Sequence, residues 1–241
     1  MVPAPDDLPE DHLTPGIPAA FEVQDDTPPA AIYNAALDAV DTGDYDTAIR
    51  YYTIAAERDY GAAMNNLAYL YYMQDGYMDD EKAFYWYEKG AAAGNPNAIN
   101  GLSLCYQYGV GTAHDIEKGF HYLHLAADKG LAGAHNNLGV LYHDEQQYEK
   151  AFHHFEEAAR LGDPDNGWLG VFYLNGIVVE KDVSKAIEYF NKAIEKGDQL
   201  AHIELAGIYL EEEGFKDRAL AAKHISEAEK AGIDIPDEFR I

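Results

Sequence analysis

One short frame, A-x-x-x-L-(G/A)-x-x-Y, returns along this chain at a near-constant interval, and it constrains the fold more than any other feature. It runs Ala63, Leu67, Ala68, Tyr71, then Ala98, Leu102, Tyr106, then Ala134, Leu138, Gly139, Tyr142. It continues as Leu169, Gly170, Tyr173, with Asp165 in the alanine slot, and as Ala201, Leu205, Ala206, Tyr209. A weaker copy starts at Ala31, with Ala35 in the leucine slot. The anchor positions 35, 67, 102, 138, 169 and 205 lie 32, 35, 36, 31 and 36 residues apart. Small and large apolar residues four positions apart share one face of a helix, so each copy predicts an amphipathic helix.

Each copy has a second half with the same spacing: Ala48 and Tyr52, Ala83 and Tyr87, Gly119 and Leu123, Ala151 and Phe155, Ala186 and Phe190, Ala221 and Ile225. These predict a second helix packed small-against-large on the first. Gly94, Gly130, Gly162, Gly197 and Gly232 stand where a left-handed residue would close that helix. Asn95-Pro96 and Asp163-Pro164 supply an N-cap and a first-turn proline for the next one. One such hairpin cannot bury its apolar stripe, whereas stacked neighbours can. The expected fold is all-α, a right-handed α-solenoid of about six helix-turn-helix repeats over residues 30–232, with the first helices on its concave face.

Composition narrows what the solenoid could meet. The 241 residues carry 43 Asp+Glu against 17 Lys+Arg, a net charge of −26. Phosphate backbones and anionic bilayers are held by Lys and Arg, so neither nucleic acid nor a membrane surface is an expected partner. No apolar run reaches a spanning length, no signal peptide is visible, and a single cysteine excludes an internal disulfide framework. A cytoplasmic location is the expectation. Residues 1–29 hold seven of the ten prolines and no Lys or Arg, the composition of an acidic tail without a core of its own. Residues 233–241 read as a short C-terminal tail.

The period, with L-G-x-x-Y and A-x-x-x-(Y/F), resembles the tetratricopeptide superfamily, and the longer units are similar to Sel1-like repeats. Those carry a glycine-bearing loop between the two helices, here Tyr108-Gly109-Val110-Gly111 with Asp115, and Asn175-Gly176-Ile177-Val178 with Asp182. The units near Ala31 and Leu131 lack the insertion and have plain tetratricopeptide length. The resemblance implies a non-catalytic scaffold or adaptor that binds a protein or peptide segment in its groove and needs no cofactor.

Nothing in the residues argues for catalysis. The three serines, Ser103, Ser184 and Ser226, lie in no nucleophile elbow, and neither a phosphate-binding loop nor a dinucleotide fingerprint occurs. Cys105 reads as a small buried side chain. Ten histidines invite a metal reading, but His121 and His153 share a slot of successive repeats, where helices stack about 8–10 Å apart. His135 and His202 also share a slot, facing the adjoining helix, where satisfied packing is the better reading.

By the same resemblance, the slot before the anchor leucine points into the groove, and it holds Asn34, Asn66, Gly101, Asn137, Trp168 and Glu204. An amide there offers a peptide bond both a donor and an acceptor. A second groove slot holds Asp41, Met73, Tyr108, Asp144, Asn175 and Glu211, so half of it is acidic. Aromatic residues crowd positions 69–87, and Tyr69 and Tyr72 fall outside the core frame. The expected peptide-binding set is therefore Asn34, Asn66, Tyr69, Tyr72, Met73, Tyr108, Asn137, Asp144, Trp168, Glu204 and Glu211. The charge favours a basic partner, and an acidic immunity protein or secretion chaperone that neutralises a basic toxin or effector is the alternative.

Overall fold

The computed structural model describes residues 21–162 and 167–239; residues 1–20 of the tail expected over 1–29, and the Asp163-Pro164 cap, lie outside them. The described residues are all-α: twelve α-helices, a short 3-10 turn and no strand. They fall into two compact units, residues 1–60 and 61–241. In the first, α1 (Pro29–Asp41) and α2 (Tyr45–Glu57) form one hairpin. Residues before it are bound to α2 and its end: the Tyr51 hydroxyl donates to the Phe21 carbonyl at 2.9 Å, and Arg58 Nη1 donates to the Thr27 carbonyl at 2.7 Å.

The second unit is a stack of five hairpins: α3 (Gly61–Met73) with α4 (Asp80–Ala92), α5 (Pro96–Tyr108) with α6 (Ile116–Asp128), α7 (Ala132–Asp144) with α8 (Tyr148–Arg160), α9 (Trp168–Asn175) with α10 (Val183–Glu195), and α11 (Ala201–Glu211) with α12 (Arg218–Lys230). Each second helix also packs on the first helix of the next hairpin, which makes the unit an α-solenoid. Packing continues past Gly232, for Ile235 is buried and Phe239 joins the same apolar cluster beneath α11 and α12.

The repeat frame has a steric cause. In the second unit the small frame residues of both helices are buried, and a methyl group added at Gly139 would sit 2.5 Å from the Phe155 ring. At Gly170 it would meet Phe190 at 2.8 Å. The glycine exists so that the second-helix aromatic can lie flat on the first-helix backbone. The frame tyrosine then stacks on the next aromatic slot of the second helix, Tyr106 on Tyr122 at 5.6 Å and Tyr173 on Tyr189 at 5.7 Å. A lysine three residues past the N-cap lies over the ring of that tyrosine: Lys82 on Tyr71, Lys118 on Tyr106, Lys150 on Tyr142 and Lys185 on Tyr173, at 4.8–5.1 Å.

Loop length varies while the loop's end does not. Asp79, Asp115, Gln147, Asp182 and Asp217 each donate their backbone N–H to the carbonyl of the frame tyrosine, at 2.8–2.9 Å. Four of them, the aspartates, also cap the following helix through their carboxylates. The insertions are thus absorbed between two invariant points. Gly111, at φ +63°, lets one inserted loop lie on α4, where a side chain would collide with the Asp80 carbonyl. Asn95 caps α5 ahead of Pro96, and Gly94, Gly130, Gly162, Gly197 and Gly232 all take positive φ, as expected.

Candidate functional site

Helices α3 and α5 pack directly on each other and carry the most exposed aromatic surface of the second unit. Tyr69 and Met73 lie one turn apart on α3 with 54% and 53% of their surface free, and Tyr108 ends α5 with 69% free. Tyr72 lies half-buried beside them, packed on the cluster of Ala68, Tyr87, Leu102 and Cys105. Its phenol is raised above the ordinary range by burial first, then by Cys105, Tyr108 and Asp80. Tyr87 beneath is buried, as its frame position requires. Four of the expected binding residues are therefore brought together on two adjacent helices.

The remaining expected residues divide. Asn34 stands exposed on α1 of the first unit. Asn66 accepts from Asn65 Nδ2 at 3.1 Å, and Asn137 Nδ2 donates to Asn100 Oδ1 at 3.2 Å, joining α7 to α5. Asn100 precedes the groove slot, which in that repeat is the buried Gly101, so slot counting alone passes over it. Trp168 points into packing: it stacks on Phe155 at 5.6 Å and meets His143 at 4.4 Å. The large flat ring is partly exposed and packs on its neighbouring repeat. Asp144 and Glu211 are exposed, and Asp144 lies 3.6 Å from His143. Glu204 is exposed too, yet its carboxyl is raised by desolvation from the surrounding wall and by Asp198.

Cys105 is buried and its thiol is pushed up to about 12 by desolvation, with Asp80 adding to it, so it is an inert packing group. Among the described residues no group of three or more His, Cys, Asp or Glu side chains is placed to hold a metal ion. Nor is any helix among them long and apolar enough to cross a membrane. His135 and His202 face the adjoining helix as expected, and each finds there a partner the sequence frame did not indicate, His154 and His224.

The exposed patch is an apolar, aromatic surface on a stack of helical hairpins. Models of known families match the chain repeat by repeat. The Sel1 repeat matches residues 29–60, 61–95, 96–131 and 168–198, and the tetratricopeptide repeat matches 132–164. The unit at Leu131 is thus of tetratricopeptide type, as its short spacing suggests, whereas the equally short first unit matches Sel1. A Sel1 repeat protein from Oxalobacter formigenes is 28% identical, with a TM-score of 0.73 over 83% of this chain and 84% of that one. A Sel1-like repeat-containing protein of Acanthamoeba polyphaga mimivirus is 31% identical over 46% of this chain and 21% of its own length. The immunity protein PA5088 of Pseudomonas aeruginosa shares the fold at 23% identity, with a TM-score of 0.62 over 91% of this chain and 88% of that one. The chain spans about a fifth to a third of the length of the first curated relatives it matches, 21% of one and 32% of another. Proteins built of such repeats are interaction scaffolds and generally do not catalyse. With most of its repeats matched and its hairpins stacked as the spacing requires, this chain belongs to the Sel1-repeat family.

Proposed function

We propose that the chain is a non-catalytic adaptor whose α3–α5 face anchors a protein segment. The observation that carries this reading is the exposure of Tyr69, Met73 and Tyr108 together, beside the half-buried Tyr72. Aromatic and methionine side chains offer large contact area at low entropy cost, and such anchors dominate interface energies. Asn66 and the exposed carboxylates of Asp144, Glu204 and Glu211, in a chain of net −26, suit a segment with basic flanks. A capture experiment with the triple variant Tyr69→Ala, Met73→Ala, Tyr108→Ala tests it. A partner held by the unaltered protein is expected to be lost, and equal capture by both would remove the assignment.

The net charge supports a second reading, a neutraliser holding a basic toxin or effector across its surface. That mode depends on long-range attraction, so the complex would dissociate steeply as salt rises and would tolerate loss of the aromatic patch. The anchored mode would show the reverse.

A further inference from the structure

Two hairpins carry the same unusual core pair. In α7–α8, His135 Nδ1 and His154 Nδ1 lie 3.0 Å apart, and Tyr142 stacks on His154 at 5.4 Å. In α11–α12, His202 Nδ1 and His224 Nδ1 lie 2.8 Å apart, and Tyr209 stacks on His224 at 5.7 Å. His202 and His224 are only 8% and 9% exposed. The equivalent slots hold Ile99 and Tyr122 in α5–α6, and Met64 and Trp86 in α3–α4. An aliphatic–aromatic pair has been exchanged at both members for two imidazoles, twice. The surroundings repeat as well, with Glu157 and Arg160 following His154 and Glu227 and Lys230 following His224 at the same intervals.

Two nitrogens at this distance share one proton: one ring donates N–H and the other accepts. A first added proton goes to the free Nε2 of the donor ring, leaving the bond intact but charging the pair, and His154 is flanked by His124, His153 and His135. A second must land on the acceptor's Nδ1, and two N–H groups then face each other. Glu157, which would favour the charge, is already engaged by Arg160 at 2.6 Å. In the second pair Lys223 opposes a charge on either ring, and Glu227, which favours it, is bound by Lys230 at 2.8 Å.

We propose that His135–His154 and His202–His224 are acid-sensitive latches, which close hairpins α7–α8 and α11–α12 at neutral pH and release them when the medium acidifies. The sign follows from proton counting. Burial lowers all four rings, and the facing imidazole adds to it at His154, which falls to about 4, and at His224, whereas an opened hairpin titrates near the ordinary value of about 6.5. Below about pH 6.5 the open state binds more protons than the closed one, so acid draws the equilibrium toward opening. Above that pH the latches contribute their full stabilisation.

Two measurements test this on the full chain. In the unaltered protein, 15N-detected histidine spectra near neutral pH should show one ring of each pair as the Nε2–H tautomer. Each pair should contain one Nδ1–H ring, and its midpoints should lie below the ordinary value. Two Nε2–H rings in either pair, or four ordinary midpoints, would overturn the proposal. Independently, the variant His135→Ile, His154→Tyr, His202→Ile, His224→Tyr copies the α5–α6 pair. Between about pH 7.5 and about 5.5 the unaltered protein should lose several degrees of melting temperature while the variant loses fewer. Equal losses would count against the latches. This window lies above carboxylate protonation, which would relieve self-repulsion in so acidic a chain and act with the opposite sign.

Discussion

Hairpins α5–α6 and α7–α8 are built on one frame and solve its packing with different chemistry. In the first, Tyr106 stacks on Tyr122, and Ile99 and Leu123 fill the space behind. In the second, Tyr142 stacks on His154, whose ring bonds to His135, and Phe155 extends across to Trp168 and Phe172 of the next repeat. Backbone geometry is preserved although one pair is apolar and the other titratable. The frame therefore specifies volume and direction at these slots and leaves polarity open. Polarity is then where one repeat can acquire a property that its neighbours lack.

The largest expected effect separates the two hairpins by reach. Phe155→Ala removes a ring that bridges two repeats and should cost about 3–5 kcal/mol, at or above the about 2–5 kcal/mol of Leu123→Ala in the equivalent slot. Urea unfolding of both variants measures this, and a larger loss for Leu123→Ala would break the comparison. The caps differ next. Asp115 caps α6 through its carboxylate, whereas Gln147 gives α8 no side-chain cap. Asp115→Ala should lose about 1 kcal/mol and Gln147→Asp should gain about 0.5–1 kcal/mol, read from the same denaturation midpoints. The smallest effect is expected at the exposed patch. Tyr108→Ala should change stability by less than about 0.5 kcal/mol, since the ring is free, while weakening capture of a partner.

Much of the fold was legible because helix periodicity and capping are local. The frame spacing identified every hairpin, Asn95-Pro96 marked the start of α5, and the glycines marked helix ends. The site was only half legible. Tyr69, Tyr72, Met73 and Tyr108 do gather, because neighbouring first helices repeat the same face. The stacking of Trp168 on Phe155 was not legible, because it depends on how one repeat packs against the next. Asn137 finds Asn100, one position off the counted slot, because a side-chain amide reaches along the helix as well as across it. The repeated series Asp79–Lys82, Asp115–Lys118 and Asp182–Lys185 was a signal available in the sequence. It pairs a cap with a cation placed over the frame tyrosine.

By itself the sequence determined a chain of helical hairpins, their number and boundaries, its acidity and its lack of catalytic motifs. These follow from periodicity, small-against-large spacing and composition, none of which needs distant residues to be placed. Only the tertiary structure decided which aromatics stay outside and which histidines meet. His135 with His154 and His202 with His224 are separated by 19 and 22 residues, across loops of different length. Their meeting depends on the rotation of one helix against another, a quantity set by packing of the whole core and carried by no local pattern.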